Sequence, residues 1–228
     1  HEINTPIGVA LTAASILTDE TAALERAYRQ EEMTEEVFTA FLTRAGQAAR
    51  VVTENLARGA ELIRSFKQVA VDSHQSEAEP VVVLPYLRNA LISLAHEMKT
   101  GQILLSVDGD SQATVRMAPT QLWQIISNLI LNARVHAFEG LTDRWVTVEV
   151  RSLPGKVVIR VADNGKGMPD DVRRRCFEPF FTTRRGSGGS GLGLSIVHSI
   201  VTGVGGRITV SSRPGNGTTF LVQLPAAE

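Results

Sequence analysis

From residue 3 onward the positions Ile3, Ile7, Ala10, Ala14, Leu17, Thr21, Leu24 and Tyr28 recur in a 4-3-4-3 alternation, the spacing of an amphipathic helix with a heptad seam. The charged stretch 29–36 interrupts the pattern. Thr34 can N-cap a following helix, in which Phe38, Ala45, Val52, Gly59 and Phe66 repeat every seven residues. Phe41, Leu42, Ala49, Leu56, Leu62, Ile63 and Val69 widen that second stripe beyond one seam. Two helices alone cannot cover it. The economical closure is a homodimer whose two hairpins form a four-helix bundle.

Residues 73–80 turn polar and acidic, which predicts a linker between a helical domain at 1–75 and a second domain at 80–228. The period then becomes mixed. Strands are predicted at 81–84, 102–107 and 113–116, and helices at 85–98 and 119–138. A hairpin at 145–152 and 156–162, a helix from 191 to about 201 and closing strands at 207–212 and 218–224 complete an α+β layer structure.

The chain has 228 residues and is 43% hydrophobic, enough for real cores in both parts. No uninterrupted apolar run approaches the roughly 20 residues of a membrane span, since even 122–131 is broken by Gln124, Ser127 and Asn128. A chain opening on His reads as a segment of a longer protein, so an upstream sensor, signal or membrane segment stays open. The single Cys176 excludes an internal disulfide and a thiolate zinc cluster. Up to residue 75 there are 7 Lys/Arg against 11 Asp/Glu, and beyond it 16 against 13. This mild split argues against nucleic acid or a membrane surface as partner of this fragment, while leaving an anionic ligand comfortable in the second part.

Chemistry concentrates in sparse motifs. Asn128, Asn132 and His136 are spaced by four on one helix face. The asparagines either bond a neighbouring loop or offer carboxamide oxygens to a hard cation such as Mg²⁺ that bridges protein to phosphate. Asp163-Asn164-Gly165-Lys166-Gly167 is a turn signal in its own right, and its spaced glycines let a flat ligand approach the backbone beside one carboxylate. That carboxylate could accept from the exocyclic amine of adenine. Residues 182–190 carry glycines and the pair Arg184 and Arg185, a lid candidate that Phe177-Glu178-Pro179-Phe180-Phe181 would anchor. Gly189, Gly191 and Gly193 then bring N–H groups to a helix start, as a phosphate site or as a flexible linker. At the head of the first helix, His1-Glu2-Ile3-Asn4-Thr5-Pro6 sets an imidazole beside a carboxylate, where it could be a nucleophile or a plain terminal residue. Pro6 should bend that turn, and His1 and Thr5 should both face solvent.

Taken in order, these residues resemble the catalytic core of a bacterial two-component sensor histidine kinase, over nearly the whole chain. His1 to Pro6 is similar to the H box, Asn128 to Asn132 to the N box, and Asp163 to Gly167 to the G1 box. Phe177 to Phe180 resembles the F box, Gly189 to Gly193 (with Leu192) the G2 box, and Gly215-Asn216-Gly217-Thr218 the last glycine motif. The resemblance implies a dimeric four-helix bundle followed by a Bergerat-type α/β sandwich, with Mg-ATP as donor and His1 as acceptor. By the same resemblance Asn132 holds Mg²⁺, Asn128 assists with metal or phosphates, Asp163 reads adenine with help from Thr218, and Arg184 or Arg185 meets the phosphates. Glu2 orients His1 and takes its proton, and Thr5 serves a phosphatase reaction on the partner. That partner is the receiver domain of a response regulator. The fragment is expected in the cytoplasm, its parent protein being a candidate for anchoring in the inner membrane. Asn4 stands where many members carry arginine, and Val135 where they carry a charged or polar residue. Two other readings are an ATPase of the same superfamily and an ATP-binding dimerisation and signalling module without kinase activity. The clamp ATPases place a glutamate where this chain has Asn128, which cannot serve as a general base.

Overall fold

The computed structural model describes residues 4–71, 77–184 and 190–227, without the side chains of 61, 62, 64–71 and 96. The chain divides into two compact units, 1–70 and 71–228.

The first unit is an antiparallel helical pair, α1 (Asn4–Arg29) and α2 (Glu35–Val71). α1 ends in a Schellman arrangement: Glu32 N–H donates to Ala27 O at 2.9 Å, and Glu31 adopts the left-handed conformation at φ 59°. Thr34 then caps α2, its Oγ1 accepting from Val37 N–H at 3.3 Å. The shaded face of α1 passes through Pro6, Ala10 and Ala13, and that of α2 through Ala45, Ala48, Val52 and Gly59. Arg44 bonds Glu20 across the pair at 3.0 Å. The seam expected on α1 holds at Ala10, Ala14, Leu17 and Leu24 and is lost at Ile7, Thr21 and Tyr28. Ile7 and Tyr28 are 39% and 70% exposed, and on α2 Phe38, Leu42 and Leu56 are 45%, 54% and 53% exposed. Thr5 is exposed, as the register required, while Pro6 lies buried in the first described turn. By length and composition α1 is long and apolar enough to cross a membrane, although its apolar residues are interrupted by polar ones. Thr12, Thr18 and Thr21 turn their hydroxyls onto carbonyls four residues earlier, so their polarity is already satisfied within the helix.

The second unit is a two-layer α/β sandwich. Its sheet runs β2 (Leu104–Gly109), β4 (Trp145–Leu153), β5 (Lys156–Asp163), β7 (Thr218–Pro225), β6 (Arg207–Ser212), with only the β2–β4 pair parallel. β1 (Glu79–Val82) and β3 (Thr114–Met117) form a separate antiparallel pair. Alternation places Val146, Val148, Val150, Val157, Ile159, Val161, Val222 and Leu224 on one face, all buried. Against them pack α3 (Val83–Ala90), α4 (Ile92–Thr100), α5 (Pro119–His136) and α7 (Gly193–Gly203). Leu122, Ile125, Ile126, Leu129 and Ile130 of α5 are at most 1% exposed, the heart of the core. Each such side chain contributes about 1.5–3 kcal/mol by leaving water.

Element boundaries shift locally. The strand expected at 81–84 stops at Val82, because Val83 N–H goes to Ala113 O at 2.8 Å and starts α3. The helix expected at 85–98 is broken at Leu91, whose carbonyl takes an i+3 bond from Leu94 N–H at 3.1 Å. A short α6 (Asp170–Arg175) was not expected, since six charged-rich residues show no apolar period.

Candidate nucleotide site

The site forms where the C-terminal half of α5 meets the end of β5 and the start of α7. β5 runs Asp163 out of the core, and the chain must then turn sharply against Ala137, at the end of α5. Gly165 makes that possible: a Cβ there would sit 2.3 Å from the Ala137 Cβ. Lys166 N–H donates to Ala137 O at 2.8 Å and locks the turn. Gly167, at φ +67°, passes so close to Arg213 that a Cβ would lie 2.0 Å from its carbonyl oxygen. Asn164, within the same motif, is structural: its Oδ1 accepts from Trp145 N–H at 2.9 Å and its Nδ2 donates to Asp143 O at 3.1 Å.

Asp163 is buried, and its Oδ1 accepts from the N–H groups of Gly165 at 2.8 Å and Thr218 at 3.2 Å. Desolvation nevertheless pushes its pKa up, the two N–H bonds only partly offsetting burial. With Oδ1 doubly engaged, Oδ2 is the atom left to meet a donor. Beside it Thr218 is also buried, its Oγ1 lying 3.0 Å from Ser212 Oγ. Ser212 escaped the sequence reading. Its signal was register, because the last residue of one hairpin strand opposes the first of the next across the 214–217 turn.

Along α5, Asn128 and Asn132 face the start of α7. A Cβ on Gly193 would meet Asn128 Oδ1 at 3.2 Å and Asn132 Nδ2 at 3.6 Å, so the glycine brings the helix start up against both carboxamides. Asn132 Nδ2 is buried without a hydrogen-bond partner. An orphaned amide in that position points to a missing ligand. Rotating the carboxamide by half a turn offers its oxygen instead, which suits a hard cation. Among the described residues no group of three His, Cys, Asp or Glu could hold a metal ion, so a cation here would complete its shell with ligand oxygens, as Mg²⁺ commonly does with phosphates.

His136 is half-buried, and its pKa is held down by desolvation, then by Arg184 and Lys166. Lys166 pairs with Glu139 at 2.8 Å, and that bond with the same two cations holds the carboxyl of Glu139 below its usual value. This side of the site thus carries net positive charge. Gly191, at φ +69°, packs on Phe180, where a Cβ would lie 2.5 Å from the carbonyl carbon. Phe180 itself holds a left-handed φ of 64°. The expected aromatic anchor divides its work: Phe177 sits 6.3 Å from Phe220 in edge contact, and Arg175 lies 4.4 Å above the Phe181 ring. Leu192 is buried next to Gly193, while His1, Glu2, Arg185 and Gly189 lie outside the described residues.

Residues 117–228 match the family described as histidine kinase-, DNA gyrase B- and HSP90-like ATPase. The chain is 36% identical over 72% of its length to the two-component sensor PprA of Pseudomonas aeruginosa, of which it spans 18%. It is 30% identical over 99% of its length to the sensor-like histidine kinase SenX3 of Mycobacterium tuberculosis, spanning 52% of that protein. Among solved structures, the catalytic domain of histidine kinase ThkA superposes with a TM-score of 0.57 at 25% identity, covering 65% of this chain and 95% of that domain. At the level of fold alone, ThkA in complex with the response regulator protein TrrA aligns with all of this chain and 59% of that one, with a TM-score of 0.62 at 22% identity. The box residues, the sandwich that carries them and these likenesses converge, and the chain belongs to the two-component sensor histidine kinases, of which it carries the catalytic core.

Proposed function

We propose that the chain is an ATP-dependent protein-histidine kinase core that phosphorylates His1 and passes the phosphoryl group to an aspartate on the receiver domain of a response regulator. The observation that carries this reading is the orphaned carboxamide of Asn132 facing the glycine start of α7, on the helix whose C-terminal end packs against the turn that follows the buried Asp163.

Asp163 Oδ2 would accept from the exocyclic amine of adenine, with Thr218 beside it. Gly165 and Gly167, by letting the turn close against Ala137 and Arg213, would hold this backbone beside the base. The first N–H groups of α7 would face the phosphates, with Arg184 and His136 alongside and Arg185 and Gly189 as further candidates from the same loop. Asn132, with Asn128, would hold Mg²⁺, which when bound neutralises charge on the transferring phosphoryl group. At the other domain Glu2 would orient the His1 ring and take its proton, freeing a ring nitrogen as nucleophile. Thr5, exposed one turn further, would position water against the regulator's aspartyl phosphate in a phosphatase reaction that the kinase step does not need. Homodimerisation would cover the apolar residues that the single hairpin leaves outside.

Calorimetric titration with ATP, with and without Mg²⁺, tests the site. Asn132→Ala should erase the gain in affinity that Mg²⁺ brings, and an unchanged gain would remove the metal assignment.

A further inference from the structure

Ser212 has one hydroxyl hydrogen and spends it on Gly217 O, at 2.8 Å. The same oxygen accepts from Met168 N–H at 2.8 Å. Its third neighbour is Thr218 Oγ1, at 3.0 Å. A carbonyl cannot donate and the serine hydrogen is already placed, so Thr218 must be the donor in that contact. Its single hydrogen then points away from the base pocket, and only its lone pairs remain for a ligand. With Asp163 Oδ1 occupied by two N–H groups, the side-chain oxygens that these two residues still offer a ligand, Asp163 Oδ2 and Thr218 Oγ1, both act as acceptors.

We infer that Ser212 is a positioning residue for purine selectivity: by fixing the direction of the Thr218 hydroxyl it makes the pocket favour the donor amine of adenine and disfavour the keto oxygen of guanine. This rests on the reading of Asp163 and Thr218 as the base pocket. Without the serine hydroxyl, Thr218 is released to turn its hydrogen toward a ligand and donate to a keto oxygen. The buried Ser212 would be legible as a mere brace of the 214–217 turn, but a brace has no reason to distinguish two purines that share sugar and phosphates.

The test compares Mg-ATP with Mg-GTP by calorimetric titration of the chain. Wild type should prefer ATP, and Ser212→Ala should narrow that preference about three- to tenfold, the span of one hydrogen bond. Ser212→Thr, which keeps the hydroxyl, should restore it. Thermal melting reports on folding, and if the alanine variant does not fold, Ser212→Cys, near-isosteric and a poor donor, should narrow the ratio in the same direction. Equal loss of both nucleotides, with the ratio unchanged in the alanine or cysteine variant, would overturn the inference and leave the base pocket standing. A wild-type chain that binds ATP and GTP alike would overturn both.

Discussion

Asp163 carries opposing demands. Burial raises its pKa, so the folded protein holds a proton on it more readily than the unfolded chain does. For a carboxyl with a raised folded pKa the cost grows as pH climbs from the unfolded value of about 3.9 through the raised one, and is fully present at neutrality. Asp163→Asn removes that cost, and the ligand-free variant should melt higher at pH 7 than wild type. The same change turns an acceptor into a donor opposite the base amine, so ATP affinity should fall by about tenfold or more, the worth of a charged hydrogen bond. Lower melting with unchanged affinity would contradict both halves. His136 behaves in the reverse sense. Its folded pKa is lowered, so it adds stability that is present above about 6.5 and lost as pH falls below the unfolded value. A bound polyanion beside Arg184 should raise that pKa. At pH 6 Mg-ATP binding should take up protons, seen as an enthalpy that varies with buffer ionisation heat, and His136→Phe should abolish the variation.

Among the elements, two glycines of the same residue type should respond in opposite directions. Gly167→Ala meets a φ of +67° and a carbonyl 2.0 Å from the new Cβ, so it should cost about 3 kcal/mol and lower the melting temperature of the second unit. Gly46→Ala on exposed α2 has nothing within 4 Å and should stabilise by about 0.5–1 kcal/mol, read as a small rise in melting temperature. The periodic elements were legible because their period and their burial are the same fact: α5 turns Leu122, Ile125, Ile126 and Leu129 against the sheet, and β4 and β5 bury alternate residues, Val146, Val148, Val150, Val157, Ile159 and Val161. What escaped was set by tertiary contacts without a periodic trace. At the Leu91 break one carbonyl is shared between i+3 and i+4 donors, α6 is too short and charged to show a stripe, and Ser212 meets Thr218 only through the hairpin register. The family was legible from the order and spacing of the boxes, whereas the direction of each hydrogen bond required the fold.

For the whole molecule, the expected hairpin seam holds at Ala10, Ala14, Leu17, Leu24, Ala45, Val52 and Gly59 and fails at Ile7, Thr21, Tyr28 and Phe38, because a heptad pattern does not say which stripe serves the neighbouring helix and which a second chain. The residues left outside, Phe38, Leu42 and Leu56, are the ones a dimer would cover. Leu42→Glu with Leu56→Glu should convert a dimer into a monomer in sedimentation velocity, and a wild type that is monomeric at micromolar concentration would remove the bundle. In the proposed reaction the chain moves a phosphoryl group from ATP onto His1. Incubating the intact protein with γ-labelled ATP and Mg²⁺ should then give a labelled chain whose label is lost in acid, survives in base and is absent from His1→Gln. Rapid release of free phosphate with an unlabelled chain, or a label that persists in His1→Gln, would contradict it.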